Sequence, residues 1–308
     1  MLVRLGQRKK GFSTSCLGTA RGRGGAIVDA ARELGLNRIA LAANLSCDPP
    51  ASLAAFFRKK GIEVAAVQNV VSTGGADERF LTGERLVDPR PADAERAFAL
   101  TVESAGAARS LAAPRVVVRL GFFPGDELRE IDGKIRELFS ADGLTAEVNE
   151  LLARAQAIIL PQRETFIDRA ARTLHSLLKA EPEMVFCVVN RHKFFEFPDI
   201  ESAGYIFEDL KHPRLRYWHD VGAAHAHDRL GLAAHDEWLD RFGPLLDGVN
   251  LHDALGLESG LPPGAGEIDF GKIHGALPAE CDSIIDLGPD CSLAEMRMAL
   301  GELEKLGF

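Results

Sequence analysis

Residues 248–270 read GVNLHDALGLESGLPPGAGEIDF. The stretch joins an apolar segment, a polar cluster and a Gly/Pro-rich loop that returns to a helical pattern. Residues 245–251 are short, apolar and preceded by Pro244, which suits a buried strand better than a helix. His252 and Asp253 then fall where the strand stops. In a parallel α/β architecture the C-terminal strand ends, and the loops after them, are where chemistry is placed.

Working outward, the same strand-then-helix rhythm recurs along the chain. Strands are expected at residues 11–17, 38–43, 62–67, 115–120, 184–189, 215–218, 245–251 and 282–287. Helices are expected at 24–34, closed by Gly35, and at 51–60, 92–111, 200–210, 235–242 and 268–277. Residues 74–91 read as a polar excursion over a rim. Residues 127–181 are helical throughout, broken near 140–143 and at Pro161. Ser292 and Glu295 form a capping box that opens the last helix. Eight strands alternating with helices predict a closed (β/α)8 barrel, one domain over residues 1–308. An open doubly wound sheet is the runner-up. No GxGxxG follows the first strand, so no nucleotide cofactor is expected.

The 308 residues are 46% hydrophobic, enough to bury a large core, and a net charge of -9 speaks against a general nucleic-acid binder. Five cysteines, with no CxxC pair, read as reduced thiols in a cytoplasmic protein. Cys16, at the end of the first strand, reads as inert packing. No stretch is long and apolar enough to span a bilayer, so no membrane partner is expected. A homo-oligomer is left open.

Four ordered motifs in the second half carry a resemblance. RYWHDVGAAHA resembles a sixth-strand motif yWhDtGHA, and NLHDALGLESGLPPGAGEIDF resembles HlHDxxGxxDeHlPPGeGxiDF. NRHKFFEFPD resembles ENRyyyhEiPd, and SIIDLGPDCSLAEM resembles an eighth strand ending in Glu before a helix. With these motifs the chain resembles the sugar phosphate isomerase/epimerase group of xylose isomerase-like TIM barrels, to which endonuclease IV also belongs. The resemblance implies a divalent metal at the barrel mouth, held by Glu, Asp, His and Glu after strands five to eight, with the two glutamates moving a proton.

Position by position, the implied metal shell is eroded. The strand-five Glu falls on Val189, the Asp is kept as Asp220, the ligand His falls on Asn250 and the last Glu on Asp286. The His of the sixth-strand motif falls on Ala223, the His before the PPG loop on Gly260, and a His after strand four on Arg119. Asp220 and Asp286 therefore remain as ligands for a weak Mg²⁺ or Mn²⁺ site, with Asn250 able to add a carboxamide. Asp220, His252 and Asp286 are the expected catalytic groups, with His252 beside Asp253 as an acid/base pair. Arg119, Asn190, Arg191, Asn250 and His225 are expected to hold a small sugar-like or anionic substrate. His219, His225 and His227 are read as a solvent-facing loop cluster. Two functions follow: a sugar (phosphate) isomerase or epimerase with a non-standard site, or a descendant without catalysis that binds a ligand or partner.

Overall fold

The computed structural model describes residues 9–20, 22–43, 48–70 and 85–308. Its centre is a closed barrel of eight strands: β1 (Lys10–Ser13), β2 (Arg38–Leu41), β3 (Glu63–Gln68), β4 (Arg115–Val118), β5 (Val185–Val189), β6 (Leu215–Asp220), β7 (Leu246–Leu251) and β8 (Asp282–Ile285). Each pairs in parallel with its neighbours in sequence, and β8 returns to β1 with Ser283 opposite Lys10 and Ile285 opposite Phe12. That closure removes the open-sheet alternative. The expected (β/α)8 barrel is the fold.

The surrounding helices are α1 (Gly24–Leu34), α2 (Pro50–Lys60), α3 (Pro91–Ser110), α4 (Asp126–Asp142), α5 (Ala146–Ile159), α6 (Arg163–Ala180), α7 (Ile200–Leu210), α8 (Val221–Arg229), α9 (His235–Phe242), α10 (Phe270–Ala276) and α11 (Leu293–Lys305). None of the described helices is long and apolar enough to cross a membrane. The capping box forms as expected, with Ser292 and Glu295 each bonding the other's backbone N–H. Cys16, Cys187, Cys281 and Cys291 are free thiols, and Cys47 lies outside the described residues.

Two cores share the barrel wall. The larger fills the space between strands and helices, and the smaller fills the barrel itself with Ala40, Ala65, Ala66, Val117, Cys187, Val189, Trp218 and Ile284. The alanines of β2 and β3 leave room for the fully buried Trp218 indole. Gly248 completes that space, because a Cβ there would lie 2.2 Å from the indole ring.

Three expectations are corrected. The first strand stops at Ser13 rather than residue 17, because Ser13 Oγ accepts the Ser15 amide and turns the chain into a 3-10 segment at Thr14–Ala20. HDVGAAHAHD is not a loop: Asp220 caps α8 by accepting Ala223 N–H at 2.9 Å. His219, His225 and His227 are consequently buried, not solvent-facing. Most of the excursion expected at 74–91 lies outside the described residues.

A histidine and carboxylate cluster at the barrel mouth

Asp220 ends β6, and its side chain is nearly inaccessible. Asn190, directly after β5, clamps its backbone from both sides: Asn190 Oδ1 accepts Asp220 N–H at 2.7 Å and Nδ2 donates to Asp220 O at 2.9 Å. Each end of that carboxamide is thereby engaged with the Asp220 backbone, so Asn190 positions Asp220. Two imidazoles flank the carboxylate, His252 Nε2 at 3.0 Å from Oδ1 and His192 Nε2 at 3.3 Å from Oδ2. Their rings stack at 6.2 Å with 19° between planes.

The hydrogen bonds fix the tautomers. Gly260 N–H donates to His252 Nδ1 at 2.9 Å, so the neutral His252 ring carries its proton on Nε2, facing Asp220. The ring presses on α8 so closely that a Cβ on Gly222 would lie 2.2 Å from its Cε1. Burial opposes a charge on Asp220, yet the His192 and His252 imidazoles hold its carboxyl well below the ordinary range. Burial also opposes a charge on His252, and there the Asp220 carboxylate and its hydrogen bond outweigh burial and raise the pKa.

Asn250, on β7, joins Asp220 to Asp286. Trp218 Nε1, which can only donate, reaches Asn250 Oδ1 at 2.8 Å. The Asn250 amide nitrogen must then face the acids, and it lies 2.9 Å from Asp286 Oδ2 and 3.4 Å from Asp220 Oδ2. The other Asp286 oxygen accepts Ser15 Oγ–H at 2.5 Å. All four carboxylate oxygens are occupied by hydrogen-bond donors, and Val189 is packed into the barrel core. The one Asn250 atom able to ligate a cation points down at Trp218. Among the described residues no group of three or more His, Cys, Asp and Glu is disposed to hold a metal ion. As arranged, with each oxygen bonded to a donor and the Asn250 oxygen on Trp218, this donor set does not fit the divalent ion that the motif resemblance implies.

Other expected residues go elsewhere. Asp253 is not a partner of His252: its carboxylate accepts the N–H groups of Ala254, Gly264, Gly266 and Ile268 at 2.8 to 3.0 Å and braces the PPG loop. Arg191 is buried and donates to the carbonyls of Phe194 and Glu196 in its own loop; burial lowers its pKa to about 10. His225, on α8, pairs with Glu267 at 3.1 Å and lines a cavity of about 430 Å³ between α8, α9 and α10, outside the mouth cluster. Arg119 is half-buried just past β4, two residues beyond the interior Val117. Cys16 is inert, since burial first and Asp286 second push its thiol up to about 12.

Two mouth residues were not anticipated, Ser15 and His192. Ser15 lies in the stretch expected as the first strand and His192 in the NRHKFFEFPD motif; a polar or titratable side chain just after a barrel strand is the available signal. His192 falls on a position that is aromatic in the motif it resembles, so the resemblance gives it no polar role.

No family profile matches the chain, and no curated protein sequence matches it. Solved structures do. A D-tagatose 3-epimerase-like protein superposes with a TM-score of 0.69 at 15% identity, covering 97% of this chain and 96% of its own. D-psicose 3-epimerase from Clostridium cellulolyticum, solved with D-tagatose, gives 0.66 at 12% identity over 97% and 99%. The 3-keto-D-glucoside 4-epimerase of Escherichia coli gives 0.64 at 12% over 97% and 99%. At such identities the likeness carries the fold alone, a closed (β/α)8 barrel.

Proposed function

We propose that the mouth catalyses isomerisation or epimerisation of a small polyhydroxy compound by proton transfer without a metal. The observation that carries this reading is the Asp220 carboxylate held between two imidazoles, one of which reaches solvent. His192 has a quarter of its side chain exposed, whereas His252 is closed in. With its Nε2–H on Asp220, the His192 lone pair sits on Nδ1 and can take the proton from a carbon beside a carbonyl. Asp220 then stabilises the imidazolium; returning the proton to the neighbouring carbon while the hydroxyl proton passes to the former carbonyl oxygen completes isomerisation, and returning it to the same carbon after the enediolate has turned its other face to His192 completes epimerisation. Arg119, at the rim by strand alternation, supplies a permanent charge for the enediolate oxygen. His252 and Asn250 hold the two carboxylates in place.

The test is uptake of deuterium from D₂O into a panel of aldoses and ketoses, followed by NMR in the presence of EDTA. His192→Asn should lower exchange by about 10²- to 10⁴-fold, as expected for loss of an acid/base group. Asp220→Asn keeps the α8 cap, since Asn caps as well as Asp, and should lower exchange too. Exchange with no panel member, or full exchange in His192→Asn, overturns the proposal. A ligand-binding protein without turnover is the second reading, favoured by Val189 in the interior core, and binding without exchange would select it.

A further inference from the structure

The rim beside His192 carries positive charge on an aromatic pair. Phe122 and Phe195, from the loops after β4 and β5, meet edge to face with centroids 6.4 Å apart. The short antiparallel ribbon of Gly121–Phe122 with Glu196–Phe197 ties those loops together. Arg129, in the first turn of α4, places its guanidinium 4.8 Å from the Phe122 centroid and 5.6 Å from that of Phe195. Arg85 lies 5.4 Å from Phe122, and Lys193 Nζ lies 5.6 Å from Phe195. Three cations thus converge on two rings in a chain whose net charge is -9.

Their counter-charges are unequal. Arg85 is answered by Asp88 at 2.7 Å. Lys193 has Asp132 only at 4.0 Å, and that carboxylate is bound more closely by Arg136 at 3.1 Å. Arg129 is exposed and has no carboxylate at ion-pair distance among the described residues. Like charges gathered on one aromatic platform repel unless an anion joins them, and guanidinium and ammonium both make charge-assisted hydrogen bonds to phosphate and carboxylate. The platform is also rigid relative to the mouth. The backbone N–H groups of His192 and Lys193 both donate to Glu196 Oε2, at 2.8 and 3.3 Å, and buried His227 bonds the Lys193 backbone.

We propose that Arg129 and Lys193, on the Phe122–Phe195 platform, form a subsite for a terminal phosphate or carboxylate of the substrate whose reacting end meets His192. This rests on the reading of the mouth given above. The first experiment is calorimetric titration of the intact protein with inorganic phosphate, and separately with acetate, at constant ionic strength. Saturable binding is expected, weakened about tenfold or more in Arg129→Ala/Lys193→Ala and unchanged in Arg172→Ala, an exposed arginine on α6. Tighter phosphate assigns an organic phosphate, and tighter acetate a sugar acid. In the D₂O assay the double variant should raise KM for the anionic substrate and leave that for a neutral ketose unchanged. No binding of either anion, or equal binding by the double variant, overturns the subsite. Because binding is read without turnover, a bound anion with no exchange defeats the mouth reading and leaves the subsite standing.

Discussion

The two ends of the barrel neutralise buried charge in different ways. At the N-terminal floor the charges are permanent: Arg38 makes a two-point contact to Asp282 at 2.7 and 2.9 Å, and Arg115 bonds Asp247 at 2.5 Å and Asp282 at 2.9 Å. At the mouth the carboxylates of Asp220 and Asp286 meet imidazoles, a carboxamide and a hydroxyl, none permanently charged. The floor answers its acids with guanidinium, a permanent charge, whereas the mouth answers them with imidazole, the side chain whose charge is most easily changed.

The largest effect is expected from breaking the floor. Asp282 is 1% exposed and answers two guanidiniums at once. Asp282→Ala leaves Arg38 and Arg115 facing each other with one carboxylate fewer, at a cost of about 3–5 kcal/mol. Denaturant unfolding measures it, and a loss under 1 kcal/mol would show that the floor contributes packing and not charge balance.

Acid should weaken the flank of the mouth next. Burial, with His235 close by, holds His219 well below the usual imidazole range; burial and the nearby Arg191 do the same to His227; and burial brings His235 to about 4. A folded pKa below the unfolded value of about 6.5 means that the unfolded chain binds more protons, so this stability is complete above about pH 6.5 and is lost as pH falls toward 4. Each such histidine contributes up to about 1.4 kcal/mol per pH unit across that window. Stability measured at pH 7, 6 and 5 should decline, and His235→Gln, able to keep a hydrogen bond to His219, should flatten the decline. An unchanged slope in that variant would place the acid sensitivity elsewhere. His252 has the opposite sign, since its raised pKa gives stability present below about 6.5 and lost as pH rises through the folded value.

The same contrast governs what the sequence could disclose. The strand rhythm was legible because barrel strands are short apolar runs separated by helices and glycine caps, which leave a periodic trace. Asp220, Asn250, His252 and Asp286 were legible because each sits at or just past a strand end. Helix α8 was not: residues 221–227 are buried on every side, so no amphipathic period exists, and Gly222 is there to admit the His252 ring, not to favour a helix. His225 and His227 were misplaced for the same reason, since polarity argued for solvent while packing enclosed them. The orientation of Asn250 was invisible as well. It is decided by Trp218, one strand away, and pairing geometry across a barrel leaves no mark on either residue's own neighbourhood.

That orientation leads to the smallest expected effect, which is none. In this cluster N–H and O–H donors fill the carboxylate oxygens that the motif resemblance assigns to a cation, so metal removal is expected to change nothing. Protein dialysed against EDTA should unfold at the same temperature as untreated protein, and incubation with Mn²⁺, Mg²⁺ or Zn²⁺ should leave substoichiometric metal by elemental analysis. Stoichiometric retention would require the Asn250 oxygen to turn toward the acids, which breaks its bond from Trp218 and leaves a buried indole N–H without an acceptor, at a cost of about 1–3 kcal/mol. An ion held at that expense would make the mouth electrostatically like the floor, with carboxylates answered by a permanent charge, and the difference between the two ends would be one of accessibility alone.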